Sequence, residues 1–296
     1  MKERFEINSN SNVLFVTEQC NNHCIMCCQP PEKDDDVDIF FNRNVKLVKS
    51  APKATKVVCI TGGEPALAGK RLFELIALVV EELPDTDIHI LSNGRAFINN
   101  DFAHQLKIVG GNKVFVGVPI HSYYYRDHDR IAGAKGAFNE TMLGLYNLAD
   151  EGIPIELRVV INKLNYKRLP QLAQYIFKNL YFISWMAFMG MEDTGWATKN
   201  ADMVWVEPME YVPQLCMAVT ELDDWNIPTA IYNIPLCLLP LQYHRFATRS
   251  ISDWKTRYLD ICLKCTVKDK CCGLFGTSKR TYKGLSPLYN ISNGNM

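Results

Sequence analysis

The sequence predicts an α/β fold, a partial (β/α)6 TIM-like barrel followed by a small cysteine-rich carboxyl-terminal extension. Three observations predict it. Short β-rich runs recur six times along the chain. Longer stretches with apolar residues at helical spacing separate them. The later strands alternate aliphatic with polar positions, as expected of a sheet whose two faces meet different surroundings. Alternating β and α units imply a parallel sheet with helices packed outside it.

The strands are expected at 12–17, 56–61, 87–92, 113–120, 155–161 and 181–188, with helices at 71–83, 102–109, 138–151 and 169–180. In the fifth strand Ile155, Leu157, Val159 and Ile161 fall on one face, and Glu156, Arg158, Val160 and Asn162 on the other. The fourth divides the same way, with Val114, Val116, Val118 and Ile120 opposite Phe115, Gly117, Pro119 and His121. An aliphatic face suits helices. A face with two charges and an amide suits a polar lumen, so an open barrel with a working interior is expected, its chemistry at the carboxyl ends of the strands. The barrel is assigned to 1–205. The extension, 206–296, opens with a helix expected at 207–225.

Composition narrows the function. The chain has 296 residues, 48% of them hydrophobic, and lysine plus arginine balances aspartate plus glutamate at 32 each. Such a balance argues against a nucleic-acid or anionic-membrane partner. The opening Met1-Lys2-Glu3-Arg4-Phe5-Glu6 lacks a secretory apolar stretch, and no run reaches the length of a membrane span. A cytoplasmic location is expected. There, 11 cysteines read as thiolate ligands and core residues rather than disulfides. Their clustering at 20–28 and 262–272 suggests two metal centres; Cys59 and Cys216 read as core residues.

Directly after the first strand comes Cys20-Asn-Asn-His-Cys24-Ile-Met-Cys27-Cys28. Three thiolates in a compact loop can hold three irons of a cubane and leave the fourth iron open to a small molecule. A structural zinc knot completed by His23 or Cys28 is the alternative; Cys28 reads as a packing or spare-ligand cysteine. The second strand ends in Thr61-Gly62-Gly63-Glu64-Pro65, where paired glycines allow close backbone approach and Glu64 can accept from an ammonium. Arg158 points to the lumen by parity and can pair with a carboxylate or with neighbouring Glu156. Ser122 and Asn93, at the ends of strands four and three, are further candidates, with His121 a rival to Ser122. In the extension Cys237, Cys262, Cys265 and Cys271 offer four soft ligands, for an Fe–S cluster or for zinc. No catalytic acid or base is singled out.

The C-x3-C-x2-C spacing and the Gly-Gly-Glu turn resemble the radical S-adenosylmethionine (SAM) superfamily. That resemblance implies a 4Fe–4S cluster on Cys20, Cys24 and Cys27. It further implies SAM bound through Gly62, Gly63 and Glu64, with Asn93, Ser122 and Arg158 as further SAM contacts, and reductive cleavage to a 5′-deoxyadenosyl radical that abstracts hydrogen. Thr17-Glu-Gln-Cys20, Cys27-Cys-Gln-Pro-Pro31, Glu156-Leu-Arg-Val-Val160 and Phe188-Met-Gly-Met-Glu192 are similar to the C-type radical SAM maturase of His-Xaa-Ser repeat peptide systems. So are 231–240, 250–255 and 262–275, although Cys272 stands where that family has glycine. This closer resemblance implies a second 4Fe–4S cluster in the extension and a precursor peptide substrate. An electron donor such as flavodoxin or ferredoxin, and a second radical SAM maturase, are the other partners it implies. Two other functions stay open: a radical SAM enzyme acting on a small molecule, and a non-catalytic metal-stabilised partner of another maturase.

Overall fold

A computed structural model describes Phe5 and residues 12–289; apart from Phe5, the opening six residues read above lie outside the described residues. The elements run β1 (Val13–Phe15), α1 (Val37–Lys49), β2 (Val57–Thr61), α2 (Lys70–Glu82), β3 (Asp87–Leu91), α3 (Asn100–Gly110), β4 (Val114–Pro119), α4 (Tyr125–Ala132), α5 (Ala137–Asp150) and β5 (Ile155–Val160). Then follow α6 (Leu169–Asn179), β6 (Trp185–Met189), α7 (Gly195–Lys199), α8 (Ala201–Val204), α9 (Pro208–Asp224), β7 (Thr229–Tyr232), β8 (Ala247–Thr248), β9 (Thr256–Arg257) and β10 (Leu274–Phe275). Strands β1 to β8 are ordered in the sheet as in the chain, the arrangement that right-handed βα crossovers produce. The chain divides into two compact units, residues 1–158 with 182–184, and residues 159–181 with 185–296.

In the first unit the parallel registers are regular. Leu14 lies opposite Ile60, Ile60 opposite Ile90, Ile90 opposite Val116, and Val116 opposite Ile155. This aliphatic face is fully buried, as are Leu72, Leu75 and Ile76 of α2, Leu106 of α3, and Leu145 and Leu148 of α5. On the opposite face Cys59, His89, Phe115, Pro119 and Arg158 stay partly accessible. The two faces expected of β4 and β5 are therefore the two faces found. Cys59 is a correction: it lies on this polar, partly open face and not in the core.

The second unit packs α6 on α9 through Leu172, Ala173 and Ile176 and through Leu215, Val219 and Leu222. Phe177 stacks on Trp225 at the end of α9, ring centroids 3.8 Å apart. Strand β7 pairs in parallel with β6, and β8 with β7. Strands β9 and β10 form a separate antiparallel pair, and Ile251, Cys272 and Phe275 form a small core in the same part of the chain.

Three expectations change. The sheet has eight strands among the described residues rather than six, because β7 and β8 fall within the stretch assigned to the extension. The sixth strand begins at Trp185 rather than 181, since 181–184 forms a turn and bend with Tyr181 73% exposed. Helices α1 and α4 were not anticipated. No helix of the described residues is long and apolar enough to cross a membrane.

Candidate functional site

The loop that follows β1 is held by backbone bonds before any side chain acts. Val16 N–H donates to Thr61 O (2.9 Å), Gly63 N–H to Thr17 O (2.7 Å) and Glu64 N–H to Gln19 O (2.7 Å). A Cβ on Gly62 would collide with Thr17 O, and one on Gly63 with Gln19 O. Glycines stand there because two backbones touch. Ahead of α1, Asp36 accepts from Thr17 Oγ1 (2.6 Å) and Glu18 N–H (2.7 Å). Farther along, His23 N–H donates to Ala132 O (2.9 Å) and Ile25 N–H to Ile131 O (3.0 Å), closing the loop on the last turn of α4.

The turn after β3 supplies the side-chain anchors. Asn93 Nδ2 donates to Asn21 Oδ1 (2.6 Å). Arg95 Nη1 donates to Asn21 O (2.6 Å) and Asn22 Oδ1 (2.7 Å), while its Nε pairs with Glu140 at 2.6 Å. Arg95 and Asp36 escaped the sequence reading. Each sits next to a recognisable feature, Gly94 and the head of a helix, but nothing in the spacing marks it as a loop anchor.

Cys20, Cys24 and Cys27 lie in one short loop and bear on one another's ionisation. Burial pushes the Cys20 thiol up to about 11 and the Cys24 thiol to about 12, with neighbouring cysteines adding to both; burial raises Cys27 as well. Half-buried thiols with raised pKa values stay protonated unless a charge at the site ionises them. A bound metal supplies that charge and deprotonates its thiols outright. His23 and Cys28, the residues that would complete a zinc knot, are both exposed. The donor set therefore fits an iron–sulfur cluster with three protein ligands.

Glu64 is 1% exposed. Its carboxylate accepts from Ala66 N–H (3.0 Å), Ser92 Oγ (2.7 Å) and Asn93 N–H (2.6 Å), binding the end of β2 to the end of β3. Burial raises its pKa, and those hydrogen bonds work against the rise. A carboxylate has about four lone-pair positions, so room remains for one further donor. Ser122 is buried at the end of β4 and accepts from Tyr124 N–H (3.1 Å) where α4 begins. His121 N–H donates to His128 Nδ1 (3.2 Å), and burial pushes His128 down to about 4. Arg158 lies opposite Pro119, and its Nε donates to Glu156 Oε2 at 2.7 Å, the pairing weighed above.

Within the second unit, Cys237, Cys262, Cys265 and Cys271 line one small concavity of about 30 Å³, with Leu236 and Tyr258 in its wall. Gly273 N–H points at Cys271 Sγ (3.5 Å) and Leu288 N–H at Cys265 Sγ (3.4 Å). Cys271 is lowered to about 6, first by a hydrogen bond from Cys272. Cys272 is 5% exposed and belongs to the small core with Ile251 and Phe275. Cys271 lines the cavity and Cys272 belongs to the core, the two thiols hydrogen-bonded to each other. Among the described residues no three His, Cys, Asp or Glu side chains converge on a single-ion position; the four thiols surround a volume.

A family model described as the radical SAM superfamily matches residues 14–176, more than half of the chain. Fe-coproporphyrin III synthase of Methanosarcina barkeri is 26% identical over 226 residues, 75% of this chain and 54% of that protein. The sporulation killing factor maturation protein SkfB of Bacillus subtilis is 26% identical over 156 residues, 52% of this chain and 36% of that one. The chain spans about half the length of the first curated relatives it matches. Among solved structures, Streptococcus suis SuiB bound to SAM superposes with a TM-score of 0.57 at 15% identity, covering 74% of this chain and 49% of SuiB. That likeness establishes the fold.

Proposed function

This chain belongs to the radical SAM superfamily, and from that membership we propose that it reductively cleaves SAM and uses the resulting radical to modify a ribosomally made peptide. The observation that carries the first part is the single loop gathering Cys20, Cys24 and Cys27 against the Gly62-Gly63-Glu64 turn. A 4Fe–4S cluster on these three cysteines supplies, when bound, the electron that splits the sulfonium into methionine and a 5′-deoxyadenosyl radical. The protein's own part is to hold the loop. Gly63 and Glu64 pin it through Thr17 and Gln19, and Arg95 pins its far side. On this reading Glu64 takes an ammonium at its remaining acceptor position, and Arg158 takes a carboxylate. Asn93 and Ser122 complete the proposed SAM contacts.

The peptide substrate is supported by the relative SkfB, a maturation protein, and by the motif resemblance to His-Xaa-Ser repeat maturases. A second 4Fe–4S cluster on Cys237, Cys262, Cys265 and Cys271 is supported by four thiols lining one concavity, with N–H groups aimed at two of the sulfurs. An electron donor of the flavodoxin or ferredoxin type completes the scheme. The experiment is anaerobic reconstitution with iron and sulfide, reduction, addition of SAM, and quantification of 5′-deoxyadenosine beside Cys24→Ala. Product from the wild type alone supports the reading. Zinc rather than iron in the protein as isolated would overturn it.

A further inference from the structure

The polar face of β3, β4 and β5 carries an arrangement that stability does not explain. Glu156 is 0% exposed. Its Oε2 lies 2.7 Å from Arg158 Nε and 2.9 Å from His89 Nε2, the latter out of line for a well-formed hydrogen bond. Its Oε1 is buried with no hydrogen-bond partner among the described residues. His89 stands on β3 and Glu156 on β5, two strands apart, about 9.5 Å at ordinary sheet spacing. They meet because the residue between them, opposite Glu156 on β4, is Gly117. A Cβ there would stand 2.8 Å from His89 Nε2 and 3.1 Å from Glu156 Oε2. The His89 ring is further fixed by stacking on Phe115, with centroids 4.2 Å apart and planes 17° from parallel.

Buried ion pairs seldom add net stability, since desolvation offsets the attraction, and an unpaired carboxylate oxygen adds a further cost. A three-strand bridge that requires a glycine and leaves an acceptor empty is therefore maintained for its effect on something else. Its exposed end is Arg158, whose side chain is 19% accessible, whereas Glu156 is sealed from any ligand. We infer that Glu156, seated against His89 through the gap at Gly117, is a positioning residue that fixes the Arg158 guanidinium for the carboxylate of SAM. Glu156 acts through Nε and orients the plane of the fork, so the pairing with Glu156 and the pairing with a ligand carboxylate are two parts of one device. The inference rests on the proposed reading of Arg158 as a SAM contact.

The test compares two ligands on the reconstituted protein, SAM and decarboxylated SAM, by equilibrium dialysis. Glu156→Gln should weaken SAM about tenfold, the size of one charge-assisted hydrogen bond, and leave decarboxylated SAM unchanged. Glu156→Asp, which keeps the charge, should recover part of the loss. Thermal unfolding is followed alongside, because a merely structural role would lower the melting temperature and weaken both ligands alike. Equal weakening of both ligands, or none, overturns the inference. Should Glu156→Gln not accumulate as folded protein, His89→Gln is judged by the same two-ligand comparison. Wild-type protein that binds no SAM removes the proposed function and this inference together, whereas selective failure in the variants removes the inference alone.

Discussion

Arg95 is the side chain on which the three-cysteine loop most depends, and replacing it with methionine keeps its stem while removing its bonds. Two hydrogen bonds to the loop are lost, to Asn21 O and Asn22 Oδ1. Each contributes about 1–1.5 kcal/mol after exchange with water. The Glu140 pair adds little, about 0.5 kcal/mol at most, because that carboxylate is 36% exposed and screened. The sum is about 2–3 kcal/mol, on a loop otherwise tied by backbone bonds at its two ends and by the side chains of Asp36 and Asn93. At about 1.4 kcal/mol per factor of ten, the open state of the loop should rise by roughly thirty- to a hundredfold. The assay is the rate at which an iron chelator strips the reconstituted cluster, followed by absorbance under anaerobic conditions. Where stripping proceeds through the open loop, Arg95→Met should accelerate it by at least about tenfold, with Cys20, Cys24 and Cys27 intact. A stripping rate and melting temperature equal to wild type would show that Arg95 does not brace the loop.

Other outcomes follow from the same geometry. Cys271→Ser should lower reconstituted iron by about half, and Cys272→Ser should leave it near the wild-type value, because only Cys271 faces the cavity; the reverse pattern would reassign the ligand. His128 and His121 are buried and held neutral, with folded pKa values below the ordinary 6.5. The unfolded chain takes up protons first, so stability is complete above pH 6.5 and is lost as pH falls toward about 4. His128→Gln should flatten the fall of melting temperature across that window, and an unchanged slope would remove His128 as its source. Burial pushes the Glu156 carboxyl up, but His89 and Arg158 outweigh it and hold it down at about 2, so the charge facing Arg158 is kept above pH 4.5 and given up in a step below it. Acid unfolding of Glu156→Gln should lack that lower step. Finally, deuterium placed in the precursor peptide should appear in 5′-deoxyadenosine; its absence, with turnover, would point to a small-molecule substrate.

Much of the barrel was legible because its strands are runs of Val and Ile with period two, and two neighbouring strands show the same inside–outside division. Helix α4 was not, since Tyr125-Arg-Asp-His-Asp-Arg-Ile-Ala132 buries only His128, Ile131 and Ala132 and has no apolar period to read. Helix α1 carries more apolar residues than it buries, with only Asn44, Leu47 and Val48 buried, which blurs its inward face. Strands β7 and β8 are four and two residues long, too short for alternation to register. At the site, cysteine spacing marks the candidate ligands, because a loop that wraps a cluster fixes how many residues separate its sulfurs. The anchors are different. Arg95 and Asp36 act over long sequence distances, in part on backbone atoms, which leave no residue-type signature. The choice between Cys271 and Cys272 likewise depended on which side of a two-residue step faces the cavity, a matter of packing that spacing cannot encode.

The anchoring of the cysteine loop sets a timetable for biosynthesis. Once Cys20, Cys24 and Cys27 have left the ribosome, bonds that fix their loop still have to come from Asn93 and Arg95 and then from Ile131 and Ala132, more than a hundred residues later. At translation speeds of about 5–20 residues per second, the three thiols wait about 5–20 s in an unorganised segment before α4 can close over them. During that interval they are open to oxidation and to capture by the wrong metal. The carboxyl-terminal set waits less, because Cys265 receives its hydrogen bond from Leu288 only 23 positions on. A cell making this protein must therefore shield nascent chains from oxygen, or deliver the first cluster only after the fourth helix has folded.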